Sequence, residues 1–278
     1  MKKKSFVLLG LVICVSFFFI SCDALMEIGS GTAPIEGVGD YASVITNGLY
    51  GEGTKEQNAT VDNLLGGSQY AKERFELYFQ WYNTVHELGH SISGYYGTQS
   101  SRHEVEEEQL VNSFAVAFWM QYGEPEKIQA LEEVVTVGLS NVTPAVDNMT
   151  YLEYWKKVFD EDRFQEAFNL NDYGWFQYNI VNDVLSNRAS LDLESILEQM
   201  GVKDVQLPNK TLRYPTLGKG VVSVVLSDVI SLLRSSGVKT PDIYLSFSTD
   251  PNNHTSTANI PTSLVKILFP KAVLVPTY

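Results

Sequence analysis

Apolar positions recur at spacings of three and four through the middle of the chain, the mark of amphipathic helices rather than strands. Phe75, Tyr78, Phe79, Tyr82 and Val85 form one such stripe, which runs directly into His86. A second spans Glu104 to Tyr122, with Leu110, Val111, Phe114, Ala115, Phe118 and Trp119 facing inward, and Gly123 and Pro125 end it. Further helices are expected over 126–139, 151–168 and 172–188. A last short one over 191–200 has Ser190 as its N-cap and Gly201 past its end. After Gly201 the texture shifts. Val221 to Leu233 is apolar enough for helix or strand, while Ile243 to Phe247 and Leu264 to Phe269 read as strands. The expected fold is mainly α: a helical core over 70–201, then a small mixed α/β segment over 202–278, either separate or packed on the core.

The beginning of the chain follows neither period. Lys2, Lys3 and Lys4 precede an almost uninterrupted apolar run from Ser5 to Ile20, and small Ser21 then precedes Cys22. A basic start with a short apolar tract reads as an export signal over 1–21. The string Phe19-Ile20-Ser21-Cys22 resembles the lipobox of bacterial lipoproteins. That resemblance implies lipid on Cys22 and an exported chain anchored to a bacterial membrane, on the periplasmic side or the cell surface. Residues 22–69, rich in Gly, Ser, Thr and Asn, are expected to follow as a flexible tether. No strand is legible ahead of the stripe that leads into His86.

Composition narrows the function. Of 278 residues, 44% are hydrophobic, enough to build a core and to exclude wholesale disorder. Acidic residues outnumber basic ones 33 to 20, a formal charge of −13, and loss of the three N-terminal lysines with the signal takes it to −16. Such a surface repels phosphate backbones, which excludes nucleic acid as a partner and disfavours acidic substrates. Cys14 leaves with the signal and Cys22 carries lipid, so no thiol remains for a disulfide, a cysteine metal site or a nucleophile.

The chemistry is concentrated in His86-Glu87-Leu88-Gly89-His90, an H-E-x-x-H string inside a predicted helix. Residues four apart share a helical face, so both imidazoles reach one metal ion. Glu87 is turned by about 100° around the helix, which lets it stand beside the site without ligating. Zinc lowers the pKa of a bound water to about 7, and the carboxylate then takes its proton. The third ligand does not come from the same helix. A glycine and a histidine three and six residues after His90 would be needed for one known pattern, and Ser93 and Tyr96 stand there. An Asp following Gly97-Thr98-Gln99 would be needed for another, and Ser100 stands there.

A following helix offers Glu108-Gln109-Leu110-Val111-Asn112-Ser113-Phe114-Ala115, which reads E-x-x-x-N-x-F-A. Together with the H-E-x-x-H string it resembles the gluzincin metallopeptidases, most closely the ImmA/IrrE-type peptidases and more remotely thermolysin. The resemblance covers about residues 75 to 120. It implies a zincin-like helical core, with His86, His90 and Glu108 holding one zinc ion. Asn112 then supports that site, commonly by holding a histidine ring. Glu106 and Glu107 are the competing ligands by register, although helical geometry turns Glu107 away from the face of Asn112. Two histidines and one glutamate leave a fourth position open, the layout of a catalytic rather than a structural zinc site. A second donor for the oxyanion is sought first at Tyr173 and Tyr178, then at His254 and His103. The expected activity is that of an extracytoplasmic, lipid-anchored zinc metallopeptidase acting on peptides or proteins, with Glu87 as general base. The alternative is a non-catalytic, zincin-like binding or adhesion lipoprotein, and a third reading has residues 202–278 occupying the groove of an inhibited enzyme.

Overall fold

The computed structural model describes residues 41–163, 169–249 and 255–277. The expected signal over 1–21, Cys22 and the expected tether up to residue 40 fall outside the described residues, as does His254. The architecture is mainly helical with one small mixed sheet. Among the described residues no helix is long and apolar enough to cross a membrane.

The sheet begins where a tether was expected. Strand β1, Tyr41–Gly48, is its central element. It runs parallel to β2, Asp242–Ser248, on one side and antiparallel to β3, Thr255–Pro261, on the other. The short β4, Val273–Leu274, closes the far edge against β2, so the order is β3-β1-β2-β4. Side chains of β1 alternate between two buried faces. Ala42 and Val44 join Ile260, Val265 and Ala272 in one apolar cluster, and Ile45 enters the main core. The polar members of the strand are satisfied: Ser43 donates to Asn259, and Asn47 Nδ2 donates to Thr84 Oγ1 at 2.9 Å. Downstream, helix α1, Lys55–Leu64, opens on a capping box between Thr54 and Gln57. Residues 41–69 are therefore part of the folded body rather than tether, because the strand gains its partners from the C-terminal part of the chain.

Helix α2, Ser68–Phe75, continues through a π-helical stretch, Glu76–Tyr82, into α3, Asn83–Tyr95, which carries the two histidines. A short 3-10 turn at Gln99–Ser101 leads to α4, Glu104–Tyr122, the central helix. Its predicted inward stripe is too narrow: Val105, Val116, Ala117 and Tyr122 are buried as well, so apolar contacts surround it. Trp119 of α4 stacks on Trp81 of the π stretch, ring centroids 4.3 Å apart. Gly89 sets how closely α3 and α4 approach. A Cβ there would lie 3.1 Å from both Val111 and Phe114.

Helices α5 (Pro125–Asn141), α6 (Tyr151–Asp160), α7 (Leu170–Ser186) and α8 (Leu193–Gln199) follow, although α6 ends at Asp160 where a helix was expected to 168, and residues 164–168 lie outside the described residues. The cap of α8 is Asp192, which accepts from the Ser195 amide; Ser190 lies in a preceding 3-10 turn. The apolar segment at 221–233 is helical, α9, Lys219–Ser235, and it packs on α3 and the π stretch. The strand expected over 264–269 is instead α10, Thr262–Leu268, which covers the sheet face opposite the helical core. Short apolar runs fit either period, and here the cover the sheet needs decides. The described part of 202–278 is thus packed on the core and shares its main apolar cluster.

Where α5 meets α7, Gly138 lies against Tyr178, and a Cβ would stand 2.5 Å from that ring. Gly138→Ala is expected to destabilise the fold by about 1–3 kcal/mol through overpacking. Chemical denaturation of the variant beside wild type checks this, and an unchanged midpoint would refute it.

Candidate metal centre

His86 and His90 lie one turn apart on α3, their rings 4.9 Å apart and nearly perpendicular at 86°. Glu108, in the first turns of α4, faces both. Its Oε2 is 3.5 Å from His86 Nε2, and its Oε1 is 3.6 Å from His90 Nε2. One ligand atom from each of the three lies within 4.8 Å of the others. Ligand bonds of about 2.0–2.2 Å at tetrahedral angles place donor atoms about 3.4 Å apart, so these spacings fit a metal ion between them. All three residues are buried, with relative exposures from 2% to 6%. Two imidazole nitrogens and a carboxylate gathered in a buried site could hold a metal ion. His86 Nδ1 and His90 Nδ1 have no hydrogen-bond partner among the described residues.

Glu87 is also buried and points to another side of α3, toward the sheet. Its Oε1 accepts from Asn83 Nδ2 at 3.1 Å, and its Oε2 accepts from Thr257 Oγ1 of β3 at 2.7 Å. The same hydroxyl lies 3.1 Å from the Glu87 carbonyl oxygen. The base expected from the sequence is therefore held from both sides, once by its own helix and once by the edge strand of the sheet.

Asn112 is fully buried behind Glu108 and close enough to the His86 imidazole to favour its charged form, the contact with a histidine ring that was expected, and its further bonds tie it to the ligand helix. Its Oδ1 accepts from Tyr82 at 2.6 Å, and its Nδ2 donates to the Glu108 carbonyl at 2.8 Å and to Gln177 Oε1 at 3.3 Å. Gln177 Nε2 in turn donates to Glu108 Oε2 at 2.9 Å and to the Tyr173 hydroxyl oxygen at 2.9 Å. Asn112 thus fixes the ligand's backbone and, through Gln177, its carboxylate. Nothing in the sequence marks Gln177, although it falls between the two tyrosines considered as donors and one turn from Tyr173.

The proposed oxyanion donors separate cleanly. Tyr173, partly exposed, is joined to Glu108 through Gln177 and so belongs to the site. Tyr178 is a core residue whose hydroxyl has no partner among the described residues and whose ring packs 5.1 Å from Tyr78. His103 is the N-cap of α4, accepting from the Val105 amide through Nδ1 while its Nε2 lies 3.1 Å from Asp160. Of the competing acids, Glu106 is exposed on α4, whereas Glu107 is buried beside His90 but outside the metal-holding trio.

The electrostatics follow from burial and neighbours. Burial pushes the His86 imidazolium below its ordinary range, against the pull of Glu108. Burial works the same way on His90, but Glu107 and Glu108 outweigh it and hold this residue well above its ordinary value. Burial would raise Glu108; His90, His86 and the Gln177 amide overcome it and bring the carboxyl to about 2. In the metal-free chain these shifts set a pH optimum of stability. Glu108 stabilises the fold above its ordinary value of 4.5, and this is lost as pH falls toward 2. Below 6.5 the buried, lowered His86 opposes the folded state, because the unfolded chain binds its proton more readily. Above 6.5 the contribution of the raised His90 is lost instead. Tm of the metal-free chain should therefore peak near pH 6.5 and fall on both sides. Bound zinc, which takes neutral imidazoles, should remove the alkaline fall. Thermal melts at pH 4, 6.5 and 9 with chelator or zinc check this, and a metal-free Tm no lower at pH 9 than at 6.5 would contradict it.

No protein-family model, curated protein or solved structure matches the chain.

Proposed function

We propose that the chain is a zinc-dependent metallopeptidase of gluzincin type, exported and anchored to a bacterial membrane through lipid on Cys22. The observation that carries this reading is the convergence of His86, His90 and Glu108, with the Glu87 carboxylate on the same helix and not among them. A purely structural site has no use for that extra carboxylate. Bound there, zinc would supply Lewis acidity toward a water and a substrate carbonyl. Glu87 would take the proton of the attacking water and pass it to the leaving amine. Thr257 and Asn83 would hold its two oxygens in place. Tyr173, one hydrogen bond beyond Gln177, would be the tyrosine to assist the developing oxyanion. The substrate would be a peptide or protein lying along β3, the edge strand next to the helix of the two histidines.

The second reading is a metal-binding lipoprotein without turnover. It is favoured by the burial of the whole site and by the engagement of both Glu87 oxygens, one of them by residue 257 of the C-terminal segment. Incubating the zinc-loaded full chain with a mixed peptide library, analysed by mass spectrometry, separates the two. Cleavage that a chelator stops and zinc restores supports the peptidase, whereas zinc bound at one per chain with every peptide intact favours the binding protein.

A further inference from the structure

Glu107 has no place in the ligand set, yet it is buried, with a relative exposure of 4%. A carboxylate in that setting costs free energy unless something answers it. One of its oxygens is answered: Arg102 Nη1 donates to Oε2 at 3.1 Å. Arg102 is itself fixed, with Nη1 also donating to the Thr98 carbonyl at 3.1 Å and Nη2 to the carbonyl of Gln199 at the end of α8. The other oxygen, Oε1, has no hydrogen-bond partner among the described residues. It lies 3.6 Å from His90 Nδ1, which has none either. Glu108 stands at the opposite nitrogen of the same ring, 3.6 Å from Nε2. Two buried, unanswered and complementary atoms therefore face each other across a gap that a shift of a few tenths of an ångström closes.

We propose that Glu107, clamped by Arg102, is the positioning residue of His90, accepting its Nδ1 proton and thereby presenting the Nε2 lone pair to the metal. The proposal rests on the metal-site reading above and adds a residue to it. A histidine that ligates through Nε2 must carry its proton on Nδ1, and that proton needs an acceptor when the ring is buried. A carboxylate in that position fixes both tautomer and ring orientation and makes the imidazole a stronger donor. An ion pair serving only to tie the α3–α4 turn to α8 would need Arg102 and a single oxygen of Glu107, and would not require the second oxygen to face the imidazole. No carboxylate stands at Nδ1 of His86 in the same way, so among the two histidines it is His90 that has one on each side of its ring.

The test uses the full chain, wild type beside Glu107→Gln and Glu107→Met, with circular dichroism to establish that each is folded. Gln keeps a neutral acceptor of the same shape, and Met removes the acceptor. Zinc affinity is read by competition with a chromophoric chelator. The Kd should rise about 10–100-fold in Glu107→Met and by a smaller factor in Glu107→Gln. The second readout needs no metal: 15N NMR of His90 in the zinc-free chain, at a pH where its ring is neutral. Wild type should hold the proton on Nδ1, and Glu107→Met should lose that preference. If the Met variant does not fold, the Gln variant carries both measurements. A zinc Kd within twofold of wild type together with an unchanged tautomer overturns the proposal. A wild-type chain that takes no zinc overturns the metal-site reading, and the tautomer then decides by itself whether Glu107 orients His90.

Discussion

Glu87→Gln is expected to lower the rate of peptide cleavage by a factor of about 10²–10⁴ while leaving about one zinc per chain. The substitution exchanges one carboxylate oxygen for an amide nitrogen of nearly the same size. Both present contacts survive it in some form: Asn83 can still donate to the amide oxygen, and the Thr257 hydroxyl can turn to accept from the amide nitrogen. What is lost is the ability to take a proton from the attacking water. His86, His90 and Glu108 are untouched, so the metal should stay. Initial rates on a cleaved peptide, with metal content by atomic absorption on the same samples, separate base from ligand. A variant that cleaves at the wild-type rate would remove Glu87 from the mechanism, and one that loses zinc would make it a ligand instead.

The second large effect is expected at Glu108. Changing it to Ala removes one of three ligands, along with the carboxylate that both histidines face at 3.5 and 3.6 Å. Partners outside the ligand set typically carry about 10–100-fold in metal affinity, so loss of a ligand should exceed about a hundredfold. At micromolar zinc this reads as a fall from about one metal per chain to almost none, with cleavage lost alongside. The variant also frees the Gln177 amide and deprives His90 of a carboxylate, so its metal-free form should melt below wild type at pH 6.5. Full zinc occupancy in Glu108→Ala would take the third-ligand role away from Glu108 and refute the trio.

The helical half was legible because its information is local. The stripe from Phe75 to Val85 gives the helical run into α3, though not its π-helical stretch, and the Gly123–Pro125 stop gives the end of α4, without any knowledge of their partners. The string around His86 and the glutamate of α4 name the trio that the fold brings together. The sheet was not legible, since Tyr41–Gly48 holds Ser, Thr and Asn among small apolar residues in glycine-rich surroundings. Only Asn259 and Thr84 reveal those polar residues as interior ones. Thr257 is a threonine in a polar strand, and nothing nearby in sequence indicates that it reaches Glu87. With Glu107 the helical geometry was sound, for it does leave the face of Asn112. The other side of α4, though, meets His90 and Arg102, and that side cannot be inferred from one helix alone.

The central place of β1 fixes an order of assembly. Ala42 is among the first described residues to be made, but its neighbours in the sheet are Asp242 and Ile260. Until those distant segments dock, the strand has no ladder to join, whereas α3 and α4 are close enough in sequence to meet far earlier. The three metal-holding side chains can therefore come together in a partly folded chain. The hydroxyl of Thr257 reaches Glu87 only once β3 has docked, so the carboxylate is pinned in the closing step of folding.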